Sequence, residues 1–322
     1  MSGSLATYAH FRVYINMKTY MNKYLFVLFL MSCTNYTTAT KFVLLSPNNT
    51  SSKFYCLVVN STNIIIEANN KKVETYKKVT INYFYDFSTD TAGNKTIEIT
   101  FDKFFVNLKN NDEEDNYDSE KKDDVSVMMD KILKKIKGSI INVKVDPRGK
   151  IIKITGIEEI SAKVINSIPN YQDNSNEEIK KQISEFVGQK FITENLVNNL
   201  QLIPDTAILV GSTWKNKTDN FSQIPINAEV ENTLVSVKDG VGSISSKAII
   251  NTNNLKTLSV MNLNVKSDLN GELNGDYKIL EKSGFVIKAN TKLSLSGNIT
   301  VSNHDIPITI KMIKNFNAEV VK

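Results

Sequence analysis

Few side chains in this 322-residue chain could do chemistry: two histidines, His10 and His304, and two cysteines, Cys33 and Cys56. His10 lies in a basic leader segment, so a Ser-His-Asp or Cys-His arrangement would need His304 and a distant nucleophile. His304 sits in Ser302-Asn303-His304-Asp305, a polar turn ahead of Ile306-Pro307, and reads as solvent-exposed. Zinc needs several His or Cys ligands, which one of each cannot supply. No Gly-rich phosphate loop is present, which argues against a nucleotide cofactor. Carboxylates remain. Asp112, Glu113, Glu114, Asp115, Asp118, Glu120, Asp123 and Asp124 form a dense run whose oxygens would suit calcium. Their spacing fits no EF-hand loop and lacks its turn glycine, so the run reads as a solvated, mobile loop. Glu158 and Glu159 open an expected helix, where acids complement the positive end of the dipole. A carboxylate-dependent hydrolase would also need two acids across a cleft. These residues imply no catalytic group, no metal and no cofactor.

Cys33 offers covalent attachment instead of catalysis. Lys18 and Lys23 lead into the apolar run Leu25 to Met31, which closes on Ser32 and Cys33, and no acid occurs before Glu67. A basic start, a short apolar core and a small residue describe an export signal. The run is far shorter than the roughly 20 apolar residues of a spanning helix. Leu30-Met31-Ser32-Cys33 resembles the lipobox of bacterial lipoproteins, in which the cysteine carries a thioether diacylglycerol. Met31 departs from the usual smaller residue, and ordinary cleavage after Ala39 is the alternative. Residues 1–32 therefore read as a signal peptide with an N-terminal extension, Met17 or Met21 being the start, and 33–40 as a lipidated tether. Removing Arg12, Lys18 and Lys23 leaves 36 basic against 34 acidic residues, so the formal charge falls from +5 to +2. A near-neutral protein argues against nucleic acid as a partner. Cys56 reads as a small hydrophobe in a strand, with a Cys33–Cys56 disulfide as the alternative.

The remaining elements are strands, then helices, then strands. Val79, Ile81, Tyr83, Tyr85 and Phe87 alternate with mostly polar residues, the mark of a strand with one buried face. Phe84 points to the other side. Ile97, Ile99 and Phe101 continue the pattern, and a phase change at Asp102-Lys103 predicts a β-bulge or a strand break. Val125 to Lys137 carries a helical apolar stripe that stops at Gly138. Asp146-Pro147-Arg148-Gly149 joins two apolar runs as a hairpin turn. Glu158 to Ile168 is a second helix. Ser175 and Glu178 suit a capping box for a third, with Ile179, Ile183, Phe186 and Val187 on one face. A short turn spans Glu194 to Leu200. Trp214 reads as a core anchor at a strand start, with ligand stacking as the alternative. Lys238-Asp239-Gly240, Asn270-Gly271, Asn274-Gly275 and Ser283-Gly284 read as hairpin punctuation.

Val145-Asp146-Pro147-Arg148-Gly149-Lys150-Ile151 with Thr155-Gly156-Ile157-Glu158-Glu159 resembles the domain-of-unknown-function family DUF6263, exported bacterial proteins that include many lipoproteins. Leu202-Ile203-Pro204 with Val210-Gly211-Ser212-Thr213-Trp214, and the series Gly271, Gly275, Gly284 and Gly297, carry the same resemblance. Ser212 stands where that family commonly has an acid. The family implies no established activity. The expected fold is α+β: mainly antiparallel curved sheet with several helices inserted in the middle of the chain. Residues 41–322 are expected to form one large domain, or two lobes (41–154 and 205–322) joined by helices across 157–200. The expected function is a non-enzymatic cell-envelope lipoprotein facing the periplasm, held to the membrane by its N-terminal lipid. Its partner would be an apolar ligand or an envelope protein. The alternatives are a structural or assembly component, or the hydrolase above.

Overall fold

In the computed structural model the described residues are 53–91, 94–121, 127–146, 151–167, 173–193, 208–218, 228–252, 258–260, 263–280, 285–301 and 307–321. The signal segment, Cys33, the 33–40 tether, the turn at 147–150, Glu194 to Leu200, Ser283-Gly284 and His304 lie outside the described residues.

The first four strands are β1 (Phe54–Ala68), β2 (Lys71–Thr89), β3 (Lys95–Asn110) and β4 (Glu113–Asp118). Helix α1 (Met128–Ile136) follows, then β5 (Ile140–Val145), β6 (Ile151–Thr155), α2 (Ile157–Ile165) and α3 (Asp173–Val187). A single helical turn, Gln189–Phe191, continues beyond Gly188. The C-terminal strands are β7 (Thr213–Thr218), β8 (Ala228–Lys238), β9 (Val241–Asn251), β10 (Leu258–Val260), β11 (Leu263–Leu280), β12 (Val286–Val301) and β13 (Pro307–Val321).

All of these strands join one 13-stranded sheet in the order β6-β5-β3-β2-β1-β13-β12-β11-β9-β8-β7, with β4 beside β3 and β10 beside β11. The α+β expectation is thereby corrected. The fold is mostly antiparallel β, the sheet is not closed, and among the described residues only three helices accompany it. Two sequence signals misled. Asn270-Gly271 and Asn274-Gly275 are not turns but lie inside the 18-residue β11, so one long strand looked like several short ones. The acidic run is not a loose loop throughout, because Glu113–Asp118 pairs with β3 as β4.

Other elements follow the residue pattern closely. Val79, Ile81, Tyr83 and Tyr85 are buried on one face of β2. The bulge falls at Asp102: Asn82 pairs with Lys103 while Tyr83 pairs with Phe101. The extra residue turns its carboxylate to the opposite face, where it accepts a hydrogen bond from Tyr55 Oη at 2.7 Å. Phe84 also lies on that outer face, its ring 4.7 Å from that of Tyr55. Helix α1 buries Ile132, Leu133 and Ile136, and Gly138 ends it with φ +73°. Asp130 in its first turn is buried and accepts from the Asp118 amide at 2.7 Å and Lys121 Nζ at 2.9 Å, tying the helix to the end of β4. Helix α3 starts at Asp173, which puts Ser175 inside the helix instead of at its cap. Ile179, Ile183, Phe186 and Val187 are buried beneath it as the spacing predicts.

Candidate functional site

The helices share one face of the sheet, here called inner, and the buried residues of that face fall into two clusters. The larger contains helix residues such as Ile132, Leu133, Val164, Ile183 and Phe186, packed on β2, β3 and β5. The second contains Ile64, Ala228, Val230, Ala248, Ile250, Leu269, Leu273, Leu293, Leu295, Ile299, Ile308, Ile310 and Met312. It is drawn from β1, β8, β9, β11, β12 and β13, and no described helix contributes to it. None of its members is more than 6 % exposed.

Two strands approach unusually closely in this second cluster. On the inner face, Gly271 lies opposite Leu295 and Gly297 opposite Leu269. A Cβ at Gly271 would stand 1.9 Å from the Ser294 carbonyl oxygen, and one at Gly297 would stand 2.0 Å from that of Asp268. Gly297 has φ +152°. Glycine at such a close approach permits a kink that bends paired strands, which is how sheets acquire curvature.

A polar seam separates the two clusters. Reading across neighbouring strands, Ser246 pairs with Gly275, Gly275 with Thr291, Thr291 with Phe316, and Phe316 with Asn60. Asn232 lies beside Ser246 and accepts its hydroxyl hydrogen bond at 2.5 Å. One level over, Leu293 pairs with Lys314, Lys314 with Thr62, and Thr62 with Lys77. Asn232, Ser246, Thr291, Asn60, Thr62 and Lys314 are all buried. Lys77 Nζ reaches Glu185 of α3 at 3.1 Å and lies 5.6 Å from the Phe186 ring centre. These polar groups occupy the apolar phase of their strands, where burial without hydrogen bonds would cost a few kcal/mol each. Farther along β11, Ser267 is 6 % exposed and its hydroxyl has no partner among the described residues. The second cluster thus has polar groups at both ends.

The residues singled out from the sequence lie elsewhere. Cys56 is a free, buried thiol opposite Tyr83, and burial pushes its pKa up to about 12. Burial likewise raises the phenols of Tyr83 and Tyr85, whose rings meet edge to face at 4.8 Å. Trp214 is half-buried against the larger cluster. Glu158 and Glu159 are exposed in the first turn of α2. Among the described residues no group of three or more His, Cys, Asp or Glu could hold a metal ion. Nor is any described helix long and apolar enough to cross a membrane. The seam went unnoticed in the sequence, although a signal existed: Asn60 and Thr62 interrupt the phase of Val58 and Ile64, and Lys314 that of Met312 and Phe316.

No curated protein matches the chain. Among solved structures it is similar to a DUF1329 family protein from Desulfovibrio piger, at 7% identity over 84% of this chain and 87% of the other, with TM-score 0.15. It is also similar to OpdQ of Pseudomonas aeruginosa, at 7% identity over 83% and 63%, with TM-score 0.19. A Vibrio parahaemolyticus domain provisionally named an outer membrane lipoprotein-sorting protein gives 9% identity over 83% of each chain and TM-score 0.15. Scores this low establish no common fold. The sequence family is clear, because residues 92–286, more than half of the chain, match the model described as "Family of unknown function (DUF6263)". The matched stretch runs from three residues before β3 to the first residue of β12. The chain belongs to that family of unknown function, DUF6263.

Proposed function

We propose that this protein is a non-enzymatic, exported envelope lipoprotein that holds an apolar ligand or partner against the inner face of its sheet. One observation carries the reading: thirteen apolar residues from six strands form a continuous cluster with no described helix over it. Its members are at most 6 % exposed in the chain alone, so an apolar occupant would have to insert among side chains that are already covered. From Leu293 to Ile299 the cluster extends six residues along β12, about 20 Å at roughly 3.3 Å per residue. An acyl chain in one leaflet occupies about half of a hydrocarbon core some 30 Å thick, so the lengths are compatible. The signal-like leader and Cys33 place this surface, on our reading, beside a membrane.

Mass spectrometry of the chain purified from cells without detergent tests both parts. A co-purifying lipid and an acylated Cys33 are expected, and Cys33→Ala is expected to release the protein from the membrane fraction. Lipid-free protein with an intact leader would overturn the proposal. A second reading, an assembly component docked through its sheet edge, is favoured by exposed apolar residues beside β7. Leu209 is 78% exposed and Val210 58%, and Val235 on the adjoining β8 is 54% exposed. Capture of a stable envelope protein, lost on Leu209→Ser, would support that reading over the first.

A further inference from the structure

We infer that the end of the sheet at which β1 begins is a membrane-contact surface, with Leu209, Val210, Val235 and Val237 as the side chains that enter the bilayer interface. This contact adds to the lipid anchor of the proposed function, on which it rests, and is independent of any carried ligand. Leu209 is 78 % exposed, Val210 58 %, Val235 54 % and Val237 41 %, so water meets apolar surface here in the chain alone. Hydrogen bonds group these residues. The Gly211 amide donates to the Leu234 carbonyl at 2.8 Å, and the Leu234 amide to that of Ser212 at 3.1 Å, which fixes the turn 209–212 beside Val235. The turn also closes on itself: the Ser212 amide donates to the Leu209 carbonyl at 2.9 Å, and the Leu209 amide to Ser212 Oγ at 3.0 Å. With the amides of Leu209, Gly211 and Ser212 all satisfied, little backbone polarity is stranded when the turn leaves water. Single exposed aliphatics are ordinary, whereas four grouped on a hydrogen-bonded frame mark a contact surface for protein or membrane. Register favours the membrane. One row of cross-strand pairs runs Leu57–Glu319–Lys288–Lys278–Ser243–Ser236, from the start of β1 to the residue between Val235 and Val237. The apolar corner therefore shares an end of the sheet with Phe54, where the chain that follows Cys33 enters β1. Val321, 39 % exposed and paired with Tyr55, stands at that end as well. A lipid on Cys33 tethers the molecule from this end without orienting it. Apolar side chains at the same end supply the orientation, and their membrane affinity scales with the apolar area they bury.

Quenching of a fluorescent label by the bilayer tests this contact. The protein purified from cells, carrying Cys56→Ala and a nitrobenzoxadiazole label at Val210→Cys or Ile249→Cys, is reconstituted into phosphatidylcholine vesicles with and without doxyl groups on the acyl chains. Ile249 is the control: it is 86 % exposed on β9 but lies six residues from Ser243, about 20 Å along the strand at roughly 3.3 Å per residue. Emission at position 210 is expected to shift to the blue on the vesicles and to be quenched by the doxyl lipid, while emission at 249 keeps its value in water. Adding Leu209→Asp and Val235→Asp should abolish quenching at 210 while the protein still floats with the vesicles, because the lipid anchor is untouched. Protein that floats but shows no quenching at 210, or equal quenching at both positions, overturns the membrane contact and leaves the lipoprotein reading standing. Absence of quenching together with a dimer, or a bound protein, that is lost in the aspartate variant assigns the corner to that occupant and equally overturns the membrane contact. Protein that does not float with the vesicles overturns both readings.

Discussion

Gly297 offers the sharpest test of the close strand approach inside the second cluster. Replacing it with Ala adds a Cβ that meets the Asp268 carbonyl oxygen at 2.0 Å, Leu269 Cα at 2.9 Å and Asp268 C at 3.0 Å. All three are backbone atoms of the paired strand β11, so no side chain can swing away. Two costs add. A non-glycine residue in that region of positive φ costs about 1–3 kcal/mol. Forcing extra volume between packed strands costs a further 1–3 kcal/mol or so. Gly240→Ala is the control, because Gly240 has φ +74° but nothing within 4 Å of its virtual Cβ. It should lose only the conformational part, about 1 kcal/mol. Urea denaturation followed by tryptophan fluorescence from Trp214 reports both variants. Gly297→Ala is expected to lose about 2–5 kcal/mol, at least twice the control, with an unchanged m-value. Equal losses in the two variants would mean that β11 and β12 are not pressed together here, and the bend attributed to these glycines would be wrong.

Three other expectations are simpler. Asp130→Ala leaves the Asp118 amide and Lys121 without their buried acceptor, and should cost about 2 kcal/mol in the same denaturation assay, with faster amide exchange at Asp118. The Cys56 thiol ionises near 9.0 when unfolded and near 12 in the fold, so the unfolded chain loses its proton first. Stability is therefore retained below about pH 9 and falls as pH rises toward 12, and Cys56→Ala should move the onset upward toward the ordinary tyrosine range. Ser267→Ala removes a buried hydroxyl that has no described partner, and a thermal melt should show it unchanged or more stable by about 1 kcal/mol. A loss of similar size would show that the hydroxyl has a partner.

Local physics made much of the fold legible. The period-two run Val79 to Tyr85, the bulge at Asp102, and the stripes of α1 and α3 each depend on neighbours a few residues away, and each was readable. Gly271 and Gly275 were misread because a glycine in a turn and a glycine under a facing strand leave the same trace in one dimension. What separates them is the position of Ser294 and Leu295 against Gly271 and of Thr291 against Gly275, all far along the chain. Glu113–Asp118 was misread for a related reason. Its acids look solvated, and they are, since Glu113 to Asn116 are all exposed, yet the backbone still pairs with β3. The seam was the hardest part to see. Asn232, Thr291 and Lys314 come from three separate strands, and only the strand order brings them to one line.

The pairing of β1 with β13 has a consequence for how the molecule is made. Thirteen consecutive residue pairs join Tyr55 through Glu67 to the stretch Thr309–Val321, in the middle of the sheet and not at its rim. A growing polypeptide must therefore deliver Thr309–Val321 before β1 can find its permanent neighbour on that side. Contacts so remote in sequence form slowly, because the intervening loop must be closed before they are rewarded. Until then β1 and β12 each present an unpaired border that invites wrong partners. Anything that withholds Thr309–Val321 keeps the border between β1 and β12 open, and their arrival is the event that joins the two halves of the sheet.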